Sequence, residues 1–282
     1  MKIGLVIFAT DESIRIDELA RAAEERGFES LMIPEHTHIP KSRRSPWPGG
    51  PNLPSEYWHT LEPFVALATA AAVTTRLRIG TAICLLVERD PITTAKAVAS
   101  LDYLSNGRFI FGIGGGWNAE EMENHGTDFK KRWRILRERV LAMKEIWTKE
   151  EAEFHGEFVN FDPIWAYPKP VQKPHPPVFF GVNTPNGRQR VVEYCDGWLP
   201  IAARVDIVSG IADLRQRAEK AGRDPKSIAV TVFGPKPDET VLRGYEKAGV
   251  ERVLLMLPSA GRERVLPLLD NYAKLIQGFK QP

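Results

Sequence analysis

Short runs of apolar residues alternate along this chain with longer segments in which apolar residues recur at helical spacing. Residues 3–8 form an unbroken apolar run of strand length, and residues 15–26 follow with apolar or small side chains on one face before stopping at Gly27. Continued along the chain, this alternation predicts eight strands, each followed by a helix. The predicted strands are residues 3–8, 30–34, 77–86, 109–113, 178–181, 197–201, 228–233 and 252–257. The predicted helices are residues 15–26, 62–74, 91–105, 129–148, 186–194, 206–221, 239–248 and 262–276.

The alternation of strands and helices also predicts how the strands pair. Strands separated by helices pair in parallel, and eight such units close into a (β/α)8 barrel, the TIM barrel. An open doubly wound sheet is the alternative, but it requires no particular number of strands, so the count of eight favours the barrel. A chain of 282 residues is typical of one such barrel, so residues 1–282 are predicted to form a single domain.

Two long irregular segments interrupt this pattern. Residues 35–60 follow strand two, and residues 151–177 precede strand five; both are too long for simple connectors. The second is rich in proline and contains a predicted hairpin around His155 and Gly156. Both segments fall where a loop can cover an active site.

Composition and charge narrow the possible classes of protein. Hydrophobic residues make up 43% and charged residues 26% of the chain, which is ordinary for a globular protein. With 38 basic and 36 acidic residues the net charge is only +2, which argues against nucleic acid as a partner. Cys84 and Cys195 are too few for a disulfide framework and fit a reducing compartment. The apolar runs are too short for a signal-peptide core or a membrane span, so we expect a cytoplasmic protein without a membrane partner.

The first candidate for chemistry is the polar cluster that ends strand two. Function in a (β/α)8 barrel gathers at the carboxyl ends of the strands, and Glu35, His36 and His38 lie at such an end. Histidine exchanges protons near neutral pH and can hydrogen-bond a cofactor ring. The plain alternative is a solvated loop. A third interpretation is a metal site formed by these three side chains, as in a metal-dependent isomerase or hydrolase. No second cluster of His, Asp or Glu residues with the spacing of metal ligands stands out in the sequence, so no metal is expected.

Two further strand ends have the glycines of a ligand-binding turn. Strand four runs into the segment GIGGGWNAEE, in which Asn118 lies near a helix start with Glu120 and Glu121 in the first turn. Strand five ends in the segment GVNT, which begins at Gly181 and offers backbone N–H groups to a phosphate. A plain strand-to-helix turn explains either segment equally well, and neither matches a known phosphate loop or dinucleotide fingerprint.

Taken together, these strand ends resemble those of the luciferase-like monooxygenase superfamily, and most of all its short coenzyme F420-dependent oxidoreductase branch. The resemblance covers residues 1 to about 200; beyond that only the architecture fits. It rests on the segments IGLVIF, LARAAEERGFESLMIPEHTHIP, RLRIGTAICLLVERDPITTAKAVASLDYLSNGRFIFGIGGGWNAEE and GVNTPNGRQRVVEYCDGWLP. The third of these, residues 76–121, is the most specific.

The resemblance implies a flavin-type ring lying across the strand ends. Glu35 and His36 would flank the reactive part of the ring, and Thr81 and Ala82 would form a bulge behind it that in F420-using relatives includes a cis peptide. Asn118 would hydrogen-bond near the ring. The cofactor phosphate would be held by a set of strand-end residues. These are Gly181, Val182, Asn183, Trp198 and Leu199.

One departure from the relatives concerns the substrate. The F420-dependent sugar-phosphate dehydrogenases of this superfamily place a glutamate acid in the strand-four turn, where this chain has Gly115. The basic residues that hold the sugar phosphate in those enzymes also have no clear counterpart. A sugar phosphate is therefore not the expected substrate.

The resulting functional expectation is hydride transfer between coenzyme F420 and a small organic substrate, with His36 carrying the proton. The substrate would enter beneath residues 35–60, against the aromatic side chains of Trp47 and Trp58; packing of these rings on the barrel rim is the equal alternative. Three alternatives stay open: an FMN-dependent monooxygenase that uses O2, the metal-dependent enzyme, and a non-catalytic relative. A homodimer is expected because barrels of this superfamily commonly pair.

Overall fold

The computed structural model describes residues 1–279, and its centre is a ring of eight parallel strands. The barrel strands are β1 (Lys2–Val6), β2 (Ser30–Ile33), β3 (Arg78–Cys84), β4 (Phe109–Ile113), β7 (Val178–Phe180), β8 (Gly197–Trp198), β9 (Ala229–Phe233) and β10 (Arg252–Met256). Strands β5 (Ala152–His155) and β6 (Asn160–Ile164) form a separate antiparallel hairpin. The helices are α1 (Ile16–Glu25), α2 (Pro63–Ala72), α3 (Pro91–Leu104), α4 (Ala119–Asn124), α5 (Arg132–Thr148), α6 (Pro185–Tyr194), α7 (Ile207–Lys220), α8 (Glu239–Ala248) and α9 (Arg262–Ile276).

The barrel closes between the first strand and the last. Neighbours around the ring run β1-β10-β9-β8-β7-β4-β3-β2, and β1 pairs with both β2 and β10. Every pairing in the ring is parallel, as the predicted alternation of strands and helices requires. The predicted (β/α)8 barrel and the predicted hairpin before the fifth barrel strand are both confirmed.

Side chains separate into two apolar layers around the strands. Inward-facing residues such as Met32, Ile110 and Leu254 fill the barrel interior and are fully buried. Outward-facing residues such as Leu5 and Leu31 pack against the ring of helices. This division follows from the alternation of side chains along a strand, and it explains why the strands read as unbroken apolar runs.

Several helices start at positions fixed by local sequence. Pro63, Pro91 and Pro185 occupy the first helical turn, where the missing N–H of proline costs nothing. The side chain before each proline caps the helix; for example, Asp90 accepts a hydrogen bond of 2.7 Å from Thr93 N. These helix starts therefore fix where the loop before each helix ends.

The predicted boundaries need three corrections. Strand β3 stops at Cys84 rather than at residue 86, because the register shifts after Thr81 and the chain then enters a 3-10 turn. Strand β8 contains only Gly197 and Trp198 rather than residues 197–201. The helix predicted over residues 129–148 begins at Arg132, and the separate short helix α4 precedes it.

None of the helices formed by residues 1–279 combines the length and the apolar character needed to cross a membrane.

Candidate active site

A cleft opens at the carboxyl ends of the barrel strands. Its volume is about 270 Å³, and its wall combines aromatic rings, glycine backbone and a few polar side chains. Seven of the residues predicted for the site line it. They are Glu35, His36, Trp47, Ala82, Gly181, Asn183 and Leu199. Residues from separate strand ends therefore converge on one cleft.

His36 is the polar group whose reactive edge is oriented into this cleft. Its Nδ1 lies 2.7 Å from Glu121 Oε2, and Glu121 Oε1 accepts a hydrogen bond of 3.0 Å from Thr37 N. Because a carboxylate only accepts, the neutral imidazole carries its proton on Nδ1 in this pair and its lone pair on Nε2. Within the described residues 1–279, Nε2 has no protein partner. The imidazole is thus oriented to take or give a proton at the cleft.

Glu35 lines the same cleft, but both oxygens of its carboxylate are engaged. Oε2 accepts a hydrogen bond of 2.7 Å from Leu85 N, and Oε1 accepts from Nε and Nη2 of Arg89. Arg89 also donates to Glu62 at the start of α2. The carboxylate of Glu35 thus fixes the chain after β3, and the predicted place of Glu35 beside the reactive part of the ring stays a prediction.

The floor of the cleft is the irregular part of β3. The predicted bulge is present: the pairing with β4 shifts between Thr81 and Cys84, and the Ala82–Ile83 peptide is cis. Thr81 lies behind this floor, because its hydroxyl donates to the carbonyl of Gly112 at 2.7 Å. Gly112 permits this approach, since a Cβ there would lie 2.0 Å from the carbonyl oxygen of Thr81.

The turn after β4 forms one wall. Gly114, Gly115, Gly116 and Trp117 line the cleft, and Gly116 adopts a left-handed conformation with φ of 62°. Asn118, predicted to hydrogen-bond near the ring, caps α4: its Oδ1 accepts from Glu121 N at 3.2 Å, and the residue is buried outside the cleft wall. Its role is to start the helix that presents Glu121 to His36.

The opposite wall contains the segment predicted to hold a phosphate. Gly181 and Asn183 line the cleft, and among residues 1–279 the N–H groups of Val182 and Asn183 have no protein acceptor. The side chains of Val182 and Trp198 are buried behind the wall, where the Trp198 indole donates to the carbonyl of Val182 at 2.8 Å. The backbone of this turn is therefore available to an anion at the amino end of α6.

Aromatic rings cover the remaining side of the cleft. The Tyr57 ring lies 5.1 Å from the His36 ring and 5.6 Å from the Trp47 ring, measured between centroids. Trp117 meets His36 edge-on at 5.8 Å. Trp58, predicted as a second substrate contact, is 49% exposed and lies outside the wall, and its contact with a substrate stays a prediction.

The side chains proposed for a metal site do not converge. Glu35 is bound by Arg89, His36 is bound by Glu121, and His38 is half-buried, with Nδ1 near Thr37 Oγ1 and Nε2 near Asn124. Across residues 1–279, no three His, Cys, Asp or Glu side chains are grouped as a metal site requires. The geometry therefore does not support the metal-dependent alternative that uses these three residues.

Several residues of the site were not identified from the sequence. Glu121 was noted only for its favourable position near a helix start, and its partner His36 is 85 positions away. Arg89, Trp117, Trp133 and Arg204 carry no local motif, and their positions depend on the tertiary fold. A polar residue in the first turn of a helix after a barrel strand is the signal that points to Glu121.

The wall of the cleft fits a flat ring with an anionic tail. The bulge at Ala82 forms the floor, His36 lines the same cleft with Nε2 unpaired among residues 1–279, and the N–H groups of Val182 and Asn183 have no protein acceptor there. Aromatic and aliphatic side chains dominate the rest of the wall. The residues present are therefore compatible with a flavin or deazaflavin.

Known proteins are similar to this chain in sequence and in fold. The family model for the luciferase-like monooxygenase matches residues 8–236. An uncharacterized protein of Mycobacterium tuberculosis is 42% identical over 279 residues, which cover 97% of this chain and 98% of the relative. The F420-dependent hydroxymycolic acid dehydrogenase of Mycobacterium tuberculosis is 27% identical over 264 residues, covering 92% of this chain and 68% of that protein. The crystal structure of the monooxygenase RslO1 from Streptomyces bottropensis superposes with a TM-score of 0.78 at 19% identity and covers 99% of each chain.

The chain belongs to the luciferase-like monooxygenase family. The predicted family is thereby confirmed, and with it the class of enzyme, the luciferase-like oxidoreductases and monooxygenases.

Proposed function

We propose that this protein is an F420-dependent oxidoreductase that transfers a hydride between coenzyme F420 and a small organic substrate. The observation that carries this proposal is the placement of His36, whose Nδ1 is held by Glu121 while Nε2 is directed at the cleft above the β3 bulge. When bound there, F420 would supply the hydride chemistry at the central ring of its deazaflavin.

The residues of the chain would then perform separate tasks. Ala82 and Ile83 support one face of the ring, and the backbone after β7 receives the phosphate. His36 exchanges a proton with the substrate oxygen at Nε2, and Glu121 stabilises the imidazolium that forms. Trp47 and Tyr57 exclude water and contact the apolar part of the substrate.

An FMN-dependent monooxygenase is the second candidate function. The matching family model, named for a monooxygenase, favours it, and a flavin ring has the same flat shape and phosphate. F420 is preferred because the 27% identical hydroxymycolic acid dehydrogenase is named as F420-dependent.

Titration of the purified protein with each cofactor tests the choice. We expect a change in F420 absorbance and quenching of tryptophan fluorescence, because Trp47, Trp117 and Trp133 line the cleft. Tight FMN binding without affinity for F420 would overturn the preference. A Trp58→Ala variant is the matched control, since that exposed ring lies outside the cleft and its loss should leave the quenching unchanged.

A further inference from the structure

Two arginines meet beside the cleft without a carboxylate partner. Arg132 begins α5 and Arg190 lies in α6, and their guanidinium carbons lie 4.6 Å and 5.0 Å from the centre of the Trp133 ring. Within residues 1–279, neither forms an ion pair. Their neighbours do: Arg134 pairs with Glu157, and Arg188 pairs with Asp213 at 2.5 Å.

Arg132 is incompletely satisfied by the protein. Its Nη1 donates to the carbonyl of Phe129 at 2.7 Å, but its Nε is buried and has no hydrogen-bond partner among the described residues. Burial and the neighbouring charge of Arg190 both lower the pKa of Arg132. Stacking on aromatic rings offsets part of this cost, but it leaves the N–H donor unused.

The position of the pair connects it to the cleft. Trp133, the ring that both arginines flank, lines the cleft and packs so closely on Gly115 that a Cβ there would lie 2.2 Å from Trp133 Cζ3. Arg190 lies on α6, the helix that begins just after Gly181 and Asn183. A ligand that leaves the cleft past this turn therefore runs toward both guanidinium groups.

We propose that Arg132 and Arg190 bind the anionic tail of the ring cofactor where it leaves the cleft. Two adjacent cations with an unused donor favour a ligand that carries more than one negative charge, and guanidinium binds phosphate and carboxylate in a fork geometry. The tail of F420 carries a phosphodiester followed by glutamate carboxylates, whereas FMN carries a single phosphate. The inference rests on the proposed function and extends it by assigning residues to the tail.

Two pairs of ligands, in which the members share the ring but only one has the anionic tail, distinguish binding of the tail from binding of the ring. Dissociation constants are measured for F420 and its tail-free deazaflavin chromophore, and for FMN and riboflavin. The proteins are the wild type, Arg132→Gln, Arg190→Gln and the double variant. Arg134→Gln is the control, because it removes a charge from the same helix at a residue that pairs with Glu157 instead.

We expect each single variant to weaken binding of the tailed cofactor by about tenfold and to leave binding of the tail-free ring unchanged. The wild-type preference for the tailed cofactor should fall with added salt, and it should fall less steeply in the double variant. The Arg134→Gln control should bind both ligands as the wild type does.

The outcomes distinguish the tail site from the choice of cofactor. If the wild type binds FMN only, and the variants lose the preference for FMN over riboflavin, the arginine assignment stands and F420 is the wrong cofactor. The assignment is wrong if the double variant changes tailed and tail-free binding by the same factor, or changes neither. It is also wrong if the wild type binds neither tailed cofactor more tightly than its tail-free partner.

Discussion

At the scale of single residues, the site depends on how His36 is held. The 2.7 Å contact with Glu121 fixes which ring nitrogen carries the proton, and the 2.6 Å hydrogen bond from Thr60 Oγ1 to the His36 carbonyl fixes the backbone. A histidine constrained in this way can act at one defined atom, Nε2. This constraint depends on contacts between segments that are distant in sequence.

Replacement of His36 by alanine should reduce turnover by about a hundredfold or more, because general acid–base catalysis typically contributes that much. Cofactor affinity should change little, since the floor and the phosphate turn are untouched. Steady-state kinetics together with a cofactor titration measure both. His59→Ala is the control, as that histidine pairs with Asp11 outside the cleft wall. Unchanged turnover with intact cofactor binding would remove His36 from the mechanism.

Glu88 predicts an unusual dependence of stability on pH. Its side chain is 1% exposed, and within residues 1–279 neither of its oxygens has a hydrogen-bond partner. Burial, followed by the charges of Glu121 and Glu35, raises the pKa of Glu88 from 4.5 to about 9. Because the folded pKa lies above the unfolded one, this group costs nothing below pH 4.5, and stability is lost as the pH rises toward 9.

Glu88→Gln should remove that loss. The free energy of unfolding of the variant should exceed that of the wild type increasingly between pH 5 and pH 8, by up to about 1.4 kcal/mol for each pH unit. Urea unfolding at several pH values measures the difference. The opposite trend, with the variant losing stability relative to the wild type as the pH rises, would mean that Glu88 is charged in the folded protein.

At the scale of elements, the segment between β2 and α2, which covers the site, is held in place by the short helix α4. Glu120 in α4 accepts hydrogen bonds from Ser42 Oγ at 2.8 Å and from Ser45 N, and Ser45 Oγ in turn accepts from Ala119 N. Although burial opposes ionisation, the hydrogen bonds from Ser45 and Ser42 lower the pKa of Glu120 to about 2. One short helix thus holds both the histidine and the segment that covers it.

Glu120→Ala should release this segment. Trypsin should then cut faster at Lys41, Arg43 and Arg44, and KM should rise more than kcat falls, because the covering aromatic residues lose their position. Glu123→Ala is the matched control in the same helix, since its exposed pair with Arg44 contributes little. Equal cleavage rates in both variants would contradict the assigned role.

The elements could be predicted from the sequence, whereas much of the site could not. Apolar runs such as residues 109–113 have a local cause, and the strand end at His36 follows from the barrel itself. That Trp58 and Asn118 lie outside the cleft wall could not be predicted, because no periodicity dictates where a side chain points in a long loop or at a helix cap. The pairs His36–Glu121 and Glu35–Arg89 join segments distant in sequence, so only the closed barrel brings them together.

At the scale of the whole molecule, the two faces of the barrel have different roles. The cleft lies at the carboxyl ends of the strands, whereas the opposite end of the barrel is stabilised by ion pairs such as Arg252 with Glu29 at 2.6 Å. On the outer face of α2 and α3, Val65 near the start of α2 and Leu104 at the end of α3 expose apolar side chains, at 69% and 70%. These two side chains are candidate contacts for a partner subunit.

We predict a homodimer that covers this face. Leu104→Glu should shift the protein from dimer to monomer in light scattering coupled to size-exclusion chromatography, because it would bury a charge in the interface. Val208→Glu on α7 is the control, as it also places a charge at an exposed apolar position on another helix. A monomeric wild type would contradict the prediction.

A crystal structure of the protein with F420 tests the central claim most directly. The account predicts that the deazaflavin ring lies on the Ala82–Ile83 peptide with its central ring facing His36, and that the phosphate meets the backbone of Val182 and Asn183. A ring bound elsewhere on the barrel, or His36 turned away from it, would contradict the account.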